Sequence, residues 1–180
     1  MEPKRTEIAT LGEFGLIDRL KNQLPTTLKE TVKGIGDDAA VISANDENYG
    51  LLSTELFLEG VHFDLTFFPL KHLGYKVLSA TISDIAAMNG LPTHVTVGIA
   101  LSNRFSVEAV DEIYEGMKFA CRDFNIDLVG GDTTSSRSGL IISVSAYGQV
   151  AKNAITYRNT AKPNEIFCLT GDLGGAYMGL

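Results

Sequence analysis

The feature that most constrains the fold is the order of helical and strand patterns of apolar residues along the chain. Apolar residues recur at spacings of three and four in residues 11–24, 69–88 and 106–124, which predicts three helices. Apolar runs or strict alternation predict strands in AAVIS, YGLLSTELF, THVTVGIAL, IDLVGGD and GLIISVSAYGQV. This order predicts an α+β fold, in which a mostly antiparallel sheet of four or more strands carries helices on one face.

One face of the predicted sheet has no helix to cover it. Two of its strands alternate along their length, and we expect four of their apolar residues to lie on the uncovered face: Val95, Val97, Ile142 and Val144. An uncovered apolar face predicts that the chain is at least dimeric, with a second copy as its partner.

The end of the chain differs from the rest in composition. We place a domain edge near Val150, so that residues 1–150 form an amino-terminal domain. Residues 151–180 then form a connector, one apolar strand around EIFCLT and a glycine-rich turn. A strand and a turn cannot bury a face by themselves, so this part is interpreted as the beginning of a second domain.

Composition and charge exclude several classes of protein. The 180 residues are 44% hydrophobic and 21% charged, as in soluble globular proteins. No apolar run approaches the roughly 20 residues of a membrane span, and the first residues lack a signal peptide, so we expect a cytoplasmic protein without a membrane partner. The net charge is -7 and the basic residues are scattered, which argues against nucleic acid. An anionic substrate would therefore need a divalent cation beside it.

The cysteine content indicates neither a disulfide framework nor a thiolate metal site. Cys121 lies in an apolar helical pattern and Cys168 in an apolar strand pattern. We expect both to be buried and reduced.

Two acidic residues stand directly before an apolar strand. Asp37 and Asp38 lie in GIGDDAAV, where Gly34 and Gly36 permit a tight or positive-φ backbone. One interpretation is a pair of ligand carboxylates at a strand end. The alternative is an acidic surface turn.

A third carboxylate, Asp84, lies in the last turn of the second predicted helix. A negative charge there opposes the helix dipole at a cost of about 0.3–1 kcal/mol. Its neighbours in SDIAAMNG are mostly apolar, so we favour a ligand over an exposed side chain on a solvent face.

Further candidate ligands adjoin two other strands. Asp132 follows the glycines of LVGGDTT, in a turn whose amides can converge on an anion, although a plain connection to the next strand fits the same pattern. The triplet Ser53, Thr54 and Glu55 closes the strand YGLLSTE and offers oxygen ligands, or it simply faces solvent.

The segment LFLEGVHFD contains two residues that can contact a substrate. His62 and Asp64 are these candidates, and the alternative for His62 is a half-exposed side chain beside phenylalanines.

Acidic residues at four separate points of the chain predict one shared cleft. Carboxylates in one cleft repel each other unless cations bind or some of them take up protons. All the candidate ligands are oxygens, which favours magnesium over zinc or copper. The sequence has no P-loop and no protein-kinase glycine motif with its partner motifs, so a nucleotide would be held in another way.

Six segments, in the same order and at similar spacing, resemble the thiamine-monophosphate kinase family: GEFGLI, GIGDDAAV, STELFLEGVHF, HLGYKVLSATISDIAAMNG, LVGGDTT and YRNTAKPNEIFCLTGDLGG. The resemblance runs from about Gly12 to the end of the chain. It implies membership of the aminoimidazole ribonucleotide synthetase superfamily, whose members bind ATP without a P-loop. It also implies a homodimer in which the sheets of two subunits join into a β-barrel.

The resemblance further implies an activity, which is phosphorylation of thiamine monophosphate to thiamine diphosphate by ATP. Transfer would be direct and in line, assisted by several magnesium ions, with no catalytic side chain and no covalent enzyme intermediate. The family has further ligands in a carboxy-terminal domain that this chain lacks, so the fragment by itself is expected to be incomplete for activity.

Site residues can be carried over from the family position by position. The implied metal ligands are Asp38, Ser53, Thr54, Glu55, Asp84 and Asp132, and the family has aspartate where this chain has Glu55. The implied ATP contacts are Gly131, Asp132, Arg158 and Tyr114, and His62 would contact the thiamine substrate. Asp37 is expected behind these residues or as an additional ligand, and Asp64 is expected behind them.

Two other functions remain open at this point. One is another ATP-using enzyme of the same superfamily, such as a selenophosphate synthetase or a hydrogenase maturation factor, although GEFGLI and STE favour the thiamine enzyme. The other is a dimerising, nucleotide-binding module without catalysis, which Glu55 and the short chain favour.

Overall fold

A single six-stranded sheet forms the centre of the protein in the computed structural model, which describes residues 5–179. The strands are β1 (Thr31–Lys33), β2 (Ala40–Ser43), β3 (Asn48–Leu58), β4 (Leu91–Leu101), β5 (Asp127–Ser135) and β6 (Leu140–Ala151). The helices are α1 (Gly12–Gln23), α2 (Leu70–Ala87), α3 (Val107–Phe124) and α4 (Gly175–Met178), with a 3-10 turn at Ile8–Thr10. The three helices and five strands predicted above are confirmed. β1 is an additional strand, too short to show a period.

The strand order in the sheet is β1-β2-β3-β6-β4-β5. Every neighbouring pair is antiparallel except β4 and β5, which α3 connects as a parallel pair. α2 packs on β3, β4 and β6, and α3 packs on α2. The predicted α+β class, mostly antiparallel with helices on one side of the sheet, is therefore confirmed.

The prediction of which residues remain uncovered is wrong. Val95, Val97, Ile142 and Val144 are at most 1% exposed, because they belong to the core under the helices. Side chains of a strand point alternately to the two faces of the sheet. The more apolar set faces the helices, because packing against the helices buries more apolar surface than the open face does. The open face carries hydroxyls together with a few larger apolar residues, among them Leu52 and Leu56.

The predicted strand around EIFCLT is absent from the described chain, because residues 165–170 have no regular structure. A strand needs a neighbour for its backbone groups, and none of the six strands pairs with this segment. Its side chains are exposed, with Phe167 at 92%. Both cysteines are unpaired, and Cys121 is half-buried, but Cys168 is exposed, so its predicted burial is wrong.

None of the helices of residues 5–179 combines the length and the apolar character that crossing a membrane demands.

Candidate functional site

An open cleft of about 810 Å³ lies where α1, the loop before β2, the middle of β3, the last turn of α2 and the segment after β6 meet. Its lining is mainly charged. The acidic residues are Glu13, Asp18, Asp37, Asp38, Glu55 and Asp84, and the basic ones are Lys21 and Arg158. Most of the predicted ligands therefore meet here.

Asp84 is held against the sheet by a neighbouring strand. The Ser53 hydroxyl donates a hydrogen bond of 2.5 Å to Asp84 Oδ2, which connects β3 to the last turn of α2. Burial is the main cause that raises the pKa of Asp84, and the charge of Asp38 adds to it, while Ser53 and Arg158 act in the opposite direction. No basic residue lies in this last turn to balance the helix dipole. Asp84 is thus a carboxylate whose charge is costly in the metal-free protein.

Glu55 lies two residues after Ser53 on the same face of β3. Burial raises the pKa of its carboxyl, the charge of Asp84 raises it further, and His62 opposes the shift. Because Glu55 and Asp84 repel each other, a cation between them would stabilise both ionised carboxylates.

Asp38 is the partner of an arginine that is distant in sequence. The guanidinium of Arg158 pairs with its carboxylate, and the two side chains remain 48% and 29% exposed. Arg158 comes from the segment after β6, so this ion pair connects that segment to the loop before β2. The cleft therefore contains an ion pair between Asp38 and Arg158 close to the carboxylates of Glu55 and Asp84, which have no ion-pair partner among the described residues.

Asp37 has a different role from Asp38, although the two are adjacent. Its side chain is fully buried and accepts hydrogen bonds from Lys33 Nζ at 2.5 Å and from the amides of Asp38 and Arg158 at 3.1 and 3.4 Å. Burial raises the pKa of Asp37, but these hydrogen bonds outweigh it and leave the pKa below its ordinary value. Asp37 is an anchor for the loop and has no free face for a metal.

The hydroxyl of Thr54 lies on the opposite face of the sheet from Glu55. Its Oγ1 donates to the backbone oxygen of Val144 at 3.2 Å and lies 3.1 Å from the hydroxyl of Ser145 on β6. Thr54 nevertheless lines the cleft at the level of the strand. Thr54 could therefore offer a metal ion in the cleft only its main-chain oxygen.

Asp132 does not line this cleft. It lies on the edge strand β5, which is separated from β3 by β4 and β6, a distance of about 14 Å at 4.8 Å per strand. Across the sheet, Asp132 is in register with Gly98, Ser143 and Leu56 on the three neighbouring strands. Residues in register point to the same face, and Leu56 is exposed on the open face, so Asp132 lies on the open face too. One chain thus does not unite all four predicted acidic positions.

Gly131 occupies a place where β5 approaches β4 closely. A Cβ at this position would lie 1.9 Å from the backbone oxygen of Val97. The sheet therefore requires glycine at position 131, independently of any contact that Gly131 makes with a nucleotide.

The remaining candidates do not line the cleft. Tyr114 lies on α3 and packs against the core. His62 is exposed in the turn after β3, where its Nδ1 accepts the amide hydrogen of Leu58 at 3.0 Å, so that Nε2 is the nitrogen available to a ligand. Asp64 accepts hydrogen bonds from the amide and hydroxyl of Thr66, which lower its pKa and stabilise a local turn.

Two basic residues of the site were not among the sequence candidates. No sequence motif identifies Lys33 as a residue of the site. Its ion pair with Asp37 becomes recognisable only in the structure, where β1 pairs with β2. The helical period of α1 could have identified Lys21 as a residue of the site. Lys21 lies four residues after Ile17 and therefore on the same side of the helix, and both residues line the cleft.

The cleft fits a magnesium ion only in part. Among residues 5–179, no three His, Cys, Asp or Glu side chains form a ready metal cage. The oxygens of Asp38, Glu55 and Asp84 are nevertheless hard ligands, and their mutual repulsion favours a cation. Magnesium commonly binds one or two carboxylates and completes its shell with waters and phosphates. The residues therefore suit a magnesium ion that arrives with a phosphorylated ligand.

Known proteins with related sequences are similar along nearly the whole chain. Thiamine-monophosphate kinase of Bacillus subtilis is 37% identical over 172 residues, which cover 94% of this chain and 52% of that protein. The Aquifex aeolicus thiamine-monophosphate kinase is 34% identical over 170 residues, covering 94% and 52%. The chain spans about half the length of these curated relatives.

Solved structures show the same relation. AaThiL complexed with AMPPCP and TMP is similar with a TM-score of 0.77 and 33% identity, over 88% of this chain and 48% of that one. The T. maritima PurL complexed with ADP shares the fold, with a TM-score of 0.59 and 20% identity over 79% of this chain and 22% of that one.

The family match covers β2 to β5, nearly all of β6 and the cleft carboxylates Asp38, Glu55 and Asp84. Residues 36–150 match the model of AIR synthase related protein, N-terminal domain. Because this match extends over more than half of the residues, the chain belongs to the family of AIR synthase related proteins and contains their N-terminal domain.

Proposed function

We propose that this chain is the nucleotide- and magnesium-binding part of a thiamine-monophosphate kinase, which phosphorylates thiamine monophosphate to thiamine diphosphate with ATP. The observation that carries the proposal is the cleft in which Asp38, Glu55 and Asp84 lie beside Arg158. The relatives named thiamine-monophosphate kinase support the substrate, and the complex of AaThiL with AMPPCP and TMP supports both ligands.

The chain's residues would bind and orient the substrates. Magnesium ions held by Asp38, Glu55 and Asp84 would neutralise the charge between two phosphorylated substrates. Arg158 would contact the nucleotide phosphates, and His62 would offer Nε2 to the thiamine substrate. A phosphate oxygen of the acceptor attacks in line, so no nucleophilic side chain is required.

The proposal is tested by one measurement on this chain and one on a full-length homologue. Calorimetry on this chain should detect AMPPCP binding that depends on magnesium. Incubation of the full-length homologue with ATP should give thiamine diphosphate from thiamine monophosphate but not from thiamine. A superfamily enzyme with another substrate would bind the nucleotide and leave thiamine monophosphate unchanged. If no magnesium-dependent AMPPCP binding is detected, the proposal of a nucleotide site in this cleft is wrong.

We further propose that the protein acts as a homodimer in which Asp132 serves the cleft of the partner subunit. The separation of Asp132 from Asp84 within one chain, and its position on the open face, support a contribution from a second copy. Sheets that meet through their open faces would also cover Leu52 and Leu56, in agreement with the barrel that the resemblance implies.

Mixed dimers test this arrangement. Asp84→Asn and Asp132→Asn should each abolish most magnesium-dependent AMPPCP binding. A mixture that exchanges subunits freely should recover about a quarter of the sites, because half the dimers are mixed and each has one intact site. Sites in one chain would give no recovery in the mixture, and a clean monomer in sedimentation at micromolar concentration would exclude the barrel.

Glu55 offers a prediction about the metal. Its carboxylate reaches about 1.5 Å further than an aspartate would, whereas magnesium demands ligands near 2.0–2.1 Å. Glu55→Asp should maintain or raise magnesium affinity in the presence of AMPPCP. Glu55→Gln removes the charge at constant length and should lower this affinity roughly fivefold, the equivalent of about 1 kcal/mol. If neither substitution changes metal affinity, or turnover of thiamine monophosphate in a complete enzyme, Glu55 is not a ligand.

A further inference from the structure

Arg158 occupies an unusual position for a residue that would contact a nucleotide. Its guanidinium pairs with Asp38, one of the carboxylates available to a metal. The pair is partly exposed, so solvent and ions reach it, and the guanidinium Nε also lies 3.8 Å from the buried carboxylate of Asp37.

The backbone of Arg158, in contrast, is firmly held. Its amide donates to the buried carboxylate of Asp37, which Lys33 binds from the other side at 2.5 Å. The ammonium of Lys33 also lies 4.3 Å from the ring centre of Tyr157.

The residues just before Arg158 are attached to the end of α2. The side-chain amide of Asn89 donates to the backbone oxygen of Ala154 at 2.9 Å, and the amide of Thr156 donates to the oxygen of Met88 at 3.2 Å. The segment therefore presents a partly exposed cation on a fixed backbone.

A metal and Arg158 compete for the same carboxylate. Magnesium binds at about 2.0–2.1 Å with little tolerance, and a guanidinium on the same oxygen would be a second cation in contact with the first. Binding of the metal therefore favours release of the guanidinium. A released guanidinium has five donors in a planar fork, which suits a phosphate.

We propose that Arg158 is the resident counter-ion of Asp38, that metal binding displaces it and frees it for the nucleotide phosphates, and that Asp37 with Lys33 holds its backbone during the exchange. This inference rests on the proposed function, since it assumes that the cleft binds magnesium with a nucleotide. It has a distinctive consequence: Arg158 lowers the affinity for the metal alone and raises the affinity for the metal–nucleotide complex.

The test compares Arg158→Gln with Lys21→Gln in calorimetric titrations of the full chain with Mg²⁺ alone. Lys21 lines the same cleft and, among residues 5–179, forms no ion pair, so its replacement removes the same charge without releasing Asp38. Arg158→Gln should raise the affinity for Mg²⁺ alone about threefold to fivefold, and Lys21→Gln should raise it clearly less. In saturating Mg²⁺, Arg158→Gln should weaken AMPPCP binding about tenfold.

Two more measurements complete the test. Arg158→Lys, which retains the charge but not the planar fork, should lie between the wild type and Arg158→Gln in both titrations. Hydrogen exchange of the amides of Ala154, Thr156 and Arg158, which are hydrogen-bonded, should not become faster when Mg²⁺ is added to the wild type, since the backbone does not move.

The outcomes separate the two proposals. If the wild type binds Mg²⁺–AMPPCP but Arg158→Gln leaves the affinity for Mg²⁺ alone unchanged, or if Lys21→Gln raises it equally, the counter-ion exchange is overturned while the proposed function stands. If the wild type binds no Mg²⁺–AMPPCP, the proposed function fails, and the exchange fails with it.

Discussion

Replacing Gly74 with alanine should lower the free energy of unfolding by about 3 kcal/mol, and Gly116→Ala should have a similar effect. A Cβ at Gly74 would lie 1.9 Å from the backbone oxygen of Ile113, and one at Gly116 would lie 1.9 Å from the backbone oxygen of Lys71. Backbone atoms cannot rotate away as a side chain can. The two helices would have to separate, and the buried face of α2 against α3 would be loosened.

Urea unfolding measures this effect, and Gly15→Ala is the matched control. Gly15 also lies in a helix, but a Cβ there would approach only the Cβ of Leu11, at 3.3 Å. Alanine at that position should change stability little or raise it by up to about 1 kcal/mol through helix propensity. The double variant with Gly74 and Gly116 replaced should lose less than the sum, because one separation of the helices relieves both clashes. Equal stabilities of Gly74→Ala and Gly15→Ala would contradict the close helix contact.

Asp84→Asn should change stability and ligand binding in opposite directions. Without metal, the neutral side chain removes repulsion from Asp38 and the unfavourable helix dipole, and the amide oxygen can still accept the hydrogen bond from Ser53. The free energy of unfolding should rise by about 0.5–1 kcal/mol. The affinity for magnesium with AMPPCP should fall by at least about tenfold, because a charged ligand is lost.

Thermal unfolding without metal and calorimetry with metal give the two values for Asp84→Asn. Asp64→Asn is the comparison variant, since Asp64 serves a local turn away from the cleft and should leave ligand binding unchanged. A variant of Asp84 that loses stability in the metal-free protein, or binds the nucleotide complex normally, would show that Asp84 is structural rather than a ligand.

The gain from Asp84→Asn should also depend on pH. Because the pKa of Asp84 is raised in the folded protein, the folded state binds the proton more tightly than the unfolded state. The favourable contribution of the protonated carboxyl is complete below the ordinary aspartate pKa of 3.8 and is lost as the pH rises through the raised value. The stability difference between the variant and the wild type should therefore be largest near neutral pH and shrink towards pH 4, which denaturant unfolding at several pH values can follow.

Local patterns were sufficient for most of the secondary structure and for part of the site. Helical and alternating periods depend on neighbours close in sequence, so α2, α3 and β6 could be predicted from them. Asp84 could be singled out because a carboxylate in the last turn of an apolar helix has a cost that is visible without a fold. The family resemblance added the nucleotide contacts Gly131, Tyr114 and Arg158 and assigned roles to the candidate ligands.

The sequence by itself thus determined the class of the fold, the helices and strands, and a set of oxygen ligands. Only the tertiary structure decided which of these ligands meet. Asp37 and Asp38 are neighbours with the same chemistry, yet Lys33 and the amide of Arg158 bury one as an anchor while the other faces the cleft. Asp132 is separated from Asp84 by strand order. Strand order and long-range ion pairs depend on contacts between distant residues, and a local period carries no information about such contacts.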